Sequence, residues 1–397
     1  MEQFVFWNLV FLAGLQAVLG LHFALLLKRY QRPAVKRWPR VSVWLSLRGA
    51  DPGLAENLRS LATQSYPEYE LRVVVDSEHD PAWPVAQEAL AGFPHARLEV
   101  LRQRLTSCSL KASALLQLAG SGLQNIEVVA FVDGDVAVSE NWLKELVAPL
   151  SDPAVGVTFG NRWYQPAAGH WGSLVRYLWN AVAVVPMYLH GMPWGGSLAM
   201  STQVLGESGL LHKWSLSLST DAPIKSAVVS LGKKVRFVPS LMMKNDEECD
   251  LSHAFDFITR QLGSTRLYHP HWPAILMHAV YTTLLISAAF ILTVWGETWW
   301  PPGGLILYLG SGLLLLMLLE SVLGGKPRSF GMQAHWKLVP AILLAQLTHL
   351  AATVRAHFRR RVCWRGVSYR IDGPWSVELE DDVHFQAPGR SGNRSLS

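Results

Sequence analysis

The longest apolar segments of the chain lie near its N-terminus and in its C-terminal half. Residues 4–27, 273–296 and 302–319 contain no Asp, Glu, Lys or Arg. A helix of about 24 residues is roughly 36 Å long at about 1.5 Å per residue, which exceeds the ~30 Å hydrocarbon core of a bilayer. The pattern therefore predicts three membrane-spanning helices.

A fourth apolar segment, 338–354, is shorter and contains polar side chains. Lys and Arg collect on the cytoplasmic side of membrane helices. Six of them lie between 28 and 40, directly after the first predicted span, so we expect the N-terminus outside and residues 28–272 in the cytoplasm. Basic residues also flank 338–354 on both sides, in 326–337 and 355–361, which favours an interfacial or re-entrant helix over a further span.

Between the membrane segments, short apolar runs alternate with helical patterns. The runs are 41–47, 71–76, 97–102 and 127–133, and the helical patterns between them are 53–64, 82–93 and 109–120. Strands that alternate with helices of about 12 residues predict a mostly parallel, doubly wound sheet. The predicted fold class is therefore α/β, with transmembrane α-helices added to it.

The predicted organisation has four parts. They are an N-terminal transmembrane anchor (1–28), a cytoplasmic α/β domain (40–270), two transmembrane helices (271–324), and an interfacial or third C-terminal membrane helix followed by a cytoplasmic tail (325–397). Within the α/β domain, the apolar segment 174–189 is too short to span a bilayer and contains Arg176. We expect it to form an amphipathic helix near the membrane or the acceptor.

The composition agrees with a membrane protein. Charged residues make up 16% of the 397 residues and hydrophobic ones 50%, whereas soluble domains average about 25% charged. This balance excludes a disordered or collagen-like chain and disfavours a wholly soluble one. The net charge of +5 arises from the basic flanks of the membrane segments and does not indicate a nucleic-acid partner.

Carboxylates follow two of the predicted strands. Asp76 ends the second strand, and Asp133 and Asp135 form a D-G-D turn after the fourth. In doubly wound sheets, ligands bind outside the carboxyl ends of the strands. A D-x-D turn at that edge predicts a site for Mg²⁺ or Mn²⁺ bound together with a diphosphate. Lys111, near the start of a predicted helix, is a candidate phosphate ligand.

Two further motifs lie downstream of the D-G-D turn. Trp194, Gly195 and Gly196 open the segment W-G-G-S-L-A-M, where the glycines allow the backbone to approach a ligand closely. Asp221 precedes a predicted helix. Its position is explained equally by a helix N-cap and by a functional carboxylate.

The order of these motifs resembles glycosyltransferase family 2, and more narrowly the ceramide glucosyltransferases and their bacterial relatives. The segment 362–371, V-C-W-R-G-V-S-Y-R-I, is similar to the W-R-x-x-x-Y-R-L sequence near the end of those enzymes. The resemblance extends over residues 4–371. It implies a nucleotide-sugar-binding, GT-A-like domain that carries membrane helices.

The resemblance also implies a role for each motif. Asp76 would bind the uracil or ribose of a UDP-sugar, Asp133 would lie on the nucleotide-sugar side of the metal site, and Asp135 would ligate Mg²⁺ or Mn²⁺. Asp221 would be the general base that deprotonates an acceptor hydroxyl. The metal and Lys111 would carry the charge of the departing diphosphate, and Trp194 to Gly196 would belong to the acceptor region.

Two departures from the family pattern concern the residue before the catalytic Asp and the residues that would bind the diphosphate. Thr220 stands where the family usually has an acid before the catalytic Asp. The R/Q-x-x-R-W signature retains only its first cation, Arg260, because Gly263 and Ser264 replace Arg-Trp. Arg266 lies about one turn further on and could substitute for the missing cation, so we expect Arg260 and Arg266 at the nucleotide-sugar site. The altered signature argues against a processive polysaccharide synthase.

The sequence thus predicts a membrane-bound inverting glycosyltransferase that moves one sugar from a UDP-sugar to a lipid hydroxyl, on a ceramide-like or other lipid acceptor. One alternative is a polyprenyl-phosphate sugar transferase, whose acceptor is a phosphate. Another is a catalytically inactive membrane scaffold with the same fold. The expected partners are the sugar donor, the lipid acceptor and the membrane.

Overall fold

The computed structural model describes residues 1–166, 168–323 and 332–382. They form two compact units that interleave along the sequence. We call 1–30, 163–189 and 245–358 the helical unit, and 31–162, 190–244 and 359–382 the α/β unit. Residues 163–189 and 245–270, expected in the cytoplasmic domain, thus group with the long apolar helices. The basic residues Lys326 and Arg328 and the tail beyond 382 lie outside the described residues.

The secondary structure follows the predicted alternation in its first half and adds strands later. The helices are α1 (Glu2–Arg29), α2 (Leu54–Ala62), α3 (Ala82–Leu90), α4 (Leu110–Gly120), α5 (Trp142–Val147), α6 (Trp171–Leu189), α7 (Thr202–Glu207), α8 (Leu210–Trp214), α9 (Ile224–Val229), α10 (Leu251–Tyr268), α11 (Trp272–Trp295), α12 (Trp300–Val322) and α13 (Met332–Phe358). The strands are β1 (Val41–Leu47), β2 (Tyr69–Val75), β3 (Ala96–Val100), β4 (Val128–Val132), β5 (Val155–Tyr164), β6 (Ser197–Ser201), β7 (Lys234–Asn245), β8 (Arg361–Trp364), β9 (Val367–Gly373) and β10 (Ser376–Asp382).

A seven-stranded sheet in the order β3-β2-β1-β4-β6-β5-β7 forms the centre of the α/β unit. The strands β3, β2, β1 and β4 are parallel, which confirms the predicted α/β class. Strand β6 runs antiparallel to both β4 and β5, so the sheet is mixed. All five residues of β4 are buried, as expected for a central strand covered on both faces.

The pairing of β4 with β6 determines which loops lie at the edge of the sheet where the parallel strands end, which we call the functional edge. The carboxyl ends of β1, β2 and β4 lie at one edge because these strands are parallel. Strand β6 is antiparallel to β4, and Val132 pairs with Ser197. The start of β6 therefore lies beside the end of β4, which brings Gly195 and Gly196 to the same edge as Asp133.

A second, three-stranded antiparallel sheet in the order β10-β9-β8 belongs to the α/β unit as well. Val367, Tyr369 and Ile371 on β9 are buried. The backbone N–H of Leu379 donates to the carbonyl of Thr106 at 2.8 Å. This sheet was not predicted, although 362–371 was noted as a motif.

The helical unit contains the predicted membrane segments. Helices α1, α11 and α12 share an apolar core that includes Leu9, Ile286 and Leu305. Among the described residues, four helices are long and apolar enough to cross a membrane: Glu2–Arg29, Trp272–Trp295, Trp300–Val322 and Trp336–Phe358. The first three agree with the predicted spans. Helix α13 is 27 residues long and exceeds the predicted segment 338–354, so its length permits both a span and an interfacial course.

Helices α6, α10 and α13 of the helical unit pack against one another through polar as well as apolar contacts. Arg176, only 5% exposed, pairs with Glu247 at 2.7 Å. The indole Nε1 of Trp179 is hydrogen-bonded to Nδ1 of His349 at 3.1 Å. The pairing with Glu247, which precedes α10 and is largely exposed, explains how α6 buries Arg176. The predicted helix over 174–189 is present as α6.

Candidate functional site

The functional edge of the α/β unit holds a lysine between acidic groups. Lys111 lies in the first turn of α4, whose N-cap Ser109 accepts the N–H of Ala112. Its Nζ is 2.5 Å from Oδ1 of Asp133, and the two side chains are 27% and 30% exposed. Partial desolvation lowers the pKa of Lys111, but the charges of Asp133 and Asp221 outweigh it and raise the pKa overall. Lys111 is therefore a cation that is paired with Asp133 and stabilised further by the charge of Asp221.

Asp221 faces the same lysine from the loop before α9. Its Oδ2 accepts the backbone N–H of Gly195 at 3.0 Å, and its Oδ1 accepts the hydroxyl of Ser219 at 2.5 Å. The N-cap position of α9 is Pro223 and no side chain caps this helix. Of the two explanations for Asp221, the N-cap is therefore wrong, and the carboxylate is oriented by its own hydrogen bonds.

The W-G-G segment fits closely around this carboxylate. A Cβ atom placed on Gly195 would lie 3.4 Å from Oδ2 of Asp221 and 3.5 Å from Nζ of Lys111. A Cβ on Gly196 would overlap the indole of Trp194, which is 7% exposed. The guanidinium of Arg162 lies 5.5 Å from the centre of that indole, within cation–π range. The two glycines thus make room for different neighbours.

Asp76 lies at the end of β2 and pairs with a residue at the end of β1. Nη1 of Arg48 donates to Oδ2 of Asp76 at 2.6 Å, and both side chains are nearly inaccessible, at 3% and 4% exposure. Burial raises the pKa of Asp76, and Arg48 opposes that shift. Nearby, Asp80 accepts the N–H groups of Gly49 and Ala82 at 2.9 and 2.8 Å, which fixes the loops that follow β1 and β2.

Asp135 is the more open member of the D-G-D turn. Surrounding protein atoms remove part of its hydration and, together with the charge of Asp133, raise the pKa of Asp135, whereas Arg162 lowers it. The side chain itself remains exposed to solvent. Asp51 lies near enough for its charge to add to the upward shift.

Asp133 and Asp135 are the carboxylates that could hold a cation together with a substrate at this edge. Among residues 1–166, 168–323 and 332–382, no group of three or more His, Cys, Asp or Glu side chains is arranged to hold a metal. Mg²⁺ in phosphate-transferring sites is usually bound by one or two carboxylates plus substrate phosphates. Asp133 and Asp135 provide that number of ligands on one short turn.

A small pocket that is partly open to solvent is lined by Lys111 and Asp221; its volume of about 10 Å³ is room for about one water molecule. Its remaining wall is mostly apolar and consists of Leu115, Phe131, Gly195, Leu198, Trp214, Thr220 and Ile224. Thr220, the residue in place of the family's acid, uses its carbonyl to accept the indole N–H of Trp214 at 2.6 Å. Its backbone thus helps to fix the loop that carries Asp221.

Arg260 and Arg266 lie on α10 of the helical unit. Arg266 donates from Nη1 to the carbonyl of His357 at 2.7 Å, and the guanidinium of Arg260 lies 5.9 Å from the centre of the Phe257 ring. Both have neighbours within their own unit. Their expected contact with the nucleotide sugar stays a prediction.

Sequence reasoning missed Arg48, Asp51, Asp80 and Arg162 at this edge. Arg48 follows β1 as Asp76 follows β2, so the rule that selected the carboxylates at strand ends would also have selected this cation. Arg162 precedes an aromatic pair near the end of a strand that was not predicted. Its contact with Trp194 depends on tertiary structure.

Comparison with protein families settles the class of the chain. The model of "Glycosyl transferase family 21" matches residues 5–375. The chain belongs to this family. Family 21 is a GT-A-type glycosyltransferase family, so the protein is a glycosyltransferase, as the sequence predicted from its resemblance to family 2 and the ceramide glucosyltransferases.

Curated relatives of this family 21 chain are similar over shorter stretches. A beta-monoglucosyldiacylglycerol synthase from Trichormus variabilis is 27% identical over 158 residues, which cover 38% of this chain and 33% of the relative. A ceramide glucosyltransferase from Komagataella phaffii is 31% identical over 75 residues, which cover 19% of this chain and 15% of the relative. The chain thus spans a third or less of the length of these two relatives.

Solved structures are similar at low sequence identity. A mannosyltransferase from Pyrobaculum calidifontis in complex with GDP-Man and Mn²⁺ is 15% identical, with a TM-score of 0.49 over 90% of this chain and 99% of that chain. Glucosyl-3-phosphoglycerate synthase from Mycobacterium tuberculosis, with Mn²⁺ and UDP, is 14% identical, with a TM-score of 0.39 over 59% and 86% of the two chains.

Proposed function

We propose that the protein is a membrane-bound inverting glycosyltransferase that transfers one sugar from a UDP-sugar to a lipid hydroxyl. The observation that carries this proposal is the position of Lys111 between Asp133 and Asp221. A cation for the diphosphate and a carboxylate for the acceptor are neighbours at the edge of the sheet where ligands of such folds bind.

Asp221 is the proposed general base. Hydrogen bonds from Gly195 N–H and Ser219 Oγ hold its carboxylate in place. The acceptor oxygen attacks the anomeric carbon on the face opposite UDP, the bond from that carbon to the β-phosphate oxygen breaks, and the hydroxyl proton passes to Asp221. Attack opposite to the leaving group inverts the anomeric configuration. A positioned base of this kind contributes about 10²–10⁴-fold to the rate.

Lys111 is the proposed stabiliser of the leaving group. Its raised pKa keeps the ammonium charged at neutral pH. The diphosphate gains negative charge as the glycosidic bond breaks, and a pre-positioned cation stabilises that charge without reorganisation. The ion pair with Asp133 holds Lys111 at the D-G-D turn before the donor arrives.

Asp133 and Asp135 would hold the divalent metal, Mg²⁺ or Mn²⁺. When bound, such an ion acts as a Lewis acid that neutralises charge on the diphosphate. The support from this chain is the pair of carboxylates on one turn and the upward shift in the pKa of Asp135, which a neighbouring cation would relieve. Asp76 would bind the ribose or uracil, held in position by Arg48.

A lipid acceptor is favoured by two observations. The helical unit contains helices that are apolar enough to span a bilayer. Two relatives carry names that refer to glucosyldiacylglycerol and to ceramide. We propose in addition that the α/β unit lies in the cytoplasm, because basic residues follow α1 directly.

The pocket chemistry favours a hydroxyl acceptor over the phosphate of a polyprenyl phosphate. A phosphate acceptor needs cations and no base, whereas Asp221 is a carboxylate held at this site, and the one cation among the described residues of the pocket lining, Lys111, is assigned to the donor diphosphate. An inactive scaffold is disfavoured because the carboxylates keep defined partners at the functional edge: Arg48 for Asp76, Lys111 for Asp133, and Gly195 for Asp221.

The test is release of UDP by the purified full-length protein in lipid nanodiscs, with a panel of UDP-sugars and lipid acceptors, with and without Mn²⁺. We expect turnover with a lipid alcohol. Asp221→Asn should reduce kcat by about 10²–10⁴-fold while UDP binding persists. Glu207→Gln is the matched control, because Glu207 is an exposed acid of the same unit. Unchanged turnover in Asp221→Asn, or turnover with phosphate acceptors alone, would refute the proposal.

A further inference from the structure

The turn between β8 and β9 places an arginine among the residues at the functional edge of the large sheet. Arg365 lies at this turn with a φ of 48°, a left-handed conformation that is uncommon for a residue with a side chain. Its Nη2 contacts both carboxylate oxygens of Asp51, at 2.5 and 2.6 Å. Its Nη1 donates to the carbonyl of Arg48.

The contact with Arg48 is reciprocal. Nε of Arg48 donates to the carbonyl of Arg365 at 2.9 Å, while Nη1 of the same guanidinium binds Asp76 at 2.6 Å. One guanidinium therefore connects the turn of the C-terminal sheet to the carboxylate at the end of β2. Because Arg48 and Asp76 are almost fully buried, the orientation of this pair depends on every hydrogen bond that Arg48 makes.

A second anchor attaches the same sheet to the start of α4. The hydroxyl of Tyr369 on β9 accepts the backbone N–H of Leu110 at 3.1 Å. Leu110 is the first residue of α4 and precedes Lys111. Tyr369 is 2% exposed, so this contact is internal to the α/β unit. The sheet therefore contacts the functional edge after β1 and at α4, and it reaches Asp76 after β2 through Arg48.

Arg365 itself remains accessible. Its side chain is 27% exposed and that of Asp51 is 30% exposed, unlike the Arg48–Asp76 pair beneath them. Asp51 also acts electrostatically on Asp135 of the D-G-D turn. Arg365 thus lies between two groups of residues. It contacts Arg48, which binds the proposed nucleoside ligand Asp76, and it contacts Asp51, which lies near the D-G-D turn.

We propose that Arg365 is a positioning residue for the nucleoside diphosphate, and that the C-terminal sheet is a structural part of the donor site. Arg365 keeps Arg48, and through it Asp76, in the orientation that binds the ribose or uracil, and it keeps Asp51 beside the D-G-D turn. This inference rests on the proposed function, because it concerns the donor of that reaction. It assigns a role to a chain segment far in sequence from the other donor-site residues.

Arg365→Ala is expected to weaken UDP binding by at least tenfold, measured by isothermal titration of the full-length protein with UDP in the presence of Mn²⁺. The KM for the UDP-sugar should rise by a similar factor, while kcat changes less than about threefold. Arg365→Lys should recover part of the loss, since lysine retains the charge but lacks the planar group that binds Asp51 and Arg48 together.

Two further variants separate positioning from stability. Arg370→Ala is the matched control, because Arg370 lies on β9 of the same sheet and pairs at the surface with Asp372 and Glu378. It should bind UDP like the wild type. The double variant Arg365→Ala/Asp51→Asn should lose little more UDP affinity than Arg365→Ala alone, because both changes break one contact.

The outcomes are distinct. If the wild type binds UDP and Arg365→Ala binds it equally well, the inference is wrong and the proposed function stands. A loss of kcat at unchanged KM, or an equal loss of affinity in Arg370→Ala, also overturns it. If Arg365→Ala fails to fold, Arg365→Lys must show the selective rise in KM, and wild-type affinity in that variant overturns the inference. A wild-type protein that binds no nucleoside diphosphate refutes the proposed function together with this inference.

Discussion

Adjacent glycines in the W-G-G segment should respond differently to the same added methyl group. Neither Gly195 nor Gly196 has a positive φ, so alanine is compatible with the backbone at both positions. The difference lies in what the methyl group meets. At Gly195 it would lie 3.3 Å from Cβ of Asp221. At Gly196 it would enter the space of the Trp194 ring.

For Gly195→Ala we expect a catalytic defect with little loss of stability. Contacts of 3.3 to 3.5 Å are relieved when Asp221 and Lys111 move by a few tenths of an ångström. A misplacement of about 1 Å at a reacting group can cost roughly 10²-fold, so this smaller shift should reduce kcat about three- to tenfold. The free energy of unfolding should change by less than about 0.5 kcal/mol.

For Gly196→Ala the buried indole of Trp194 must move. Overpacking of this kind costs about 1–3 kcal/mol, and the stacking of Arg162 on the indole is lost with it. Urea unfolding, tryptophan fluorescence and UDP release on the same preparations would measure both variants. Equal stability losses in the two variants, or wild-type kcat in Gly195→Ala, would refute the geometry from which these values follow.

The remaining predictions concern charge and pH. Lys111→Met should lower kcat about 10²-fold. Lys233→Met should leave UDP release unchanged, because the Nζ of Lys233 donates to the carbonyl of Pro153 at the surface. Chelation of divalent metal should weaken UDP binding, and added Mn²⁺ should restore it. If Asp133→Asn and Asp135→Asn bind UDP like the wild type, these two carboxylates do not hold the metal. Burial raises the pKa of Asp76 above its ordinary value of 3.8. The protonated carboxyl therefore stabilises the folded protein at low pH, and this contribution is lost as the pH rises through the pKa that Asp76 has in the folded protein. UDP affinity, which needs the carboxylate, should fall as the pH drops through the same value, and titrations of Asp76→Asn should lack this transition.

The parallel half of the sheet was predictable because each strand is a short apolar run followed by a helix. The position of Asp76 and Asp133 after such runs was enough to identify the edge at which they lie. Strand β1 was predicted with its observed bounds, 41–47. The other strands of this half were predicted to within two residues.

The antiparallel additions and the polar contacts were not predictable from local pattern. Strand β6 has only five residues, Ser197–Ser201, and its partners are β4 and β5, distant in sequence. The contact of Asp221 with Gly195 N–H depends on that pairing. The link from Arg365 to Arg48 joins residues 317 positions apart, and nothing in either local sequence specifies it.

The C-terminal sheet also constrains how the chain can pass through a bilayer. The chain leaves the α/β unit after residue 244 and returns to it at residue 359. A folded unit lies on one side of a membrane, so the number of crossings between those two points must be even. If α11 and α12 each cross once, they supply two crossings, and α13 then starts and finishes on the same face. We therefore predict that α13, although long enough to traverse the membrane, lies along the interface or enters the bilayer and turns back.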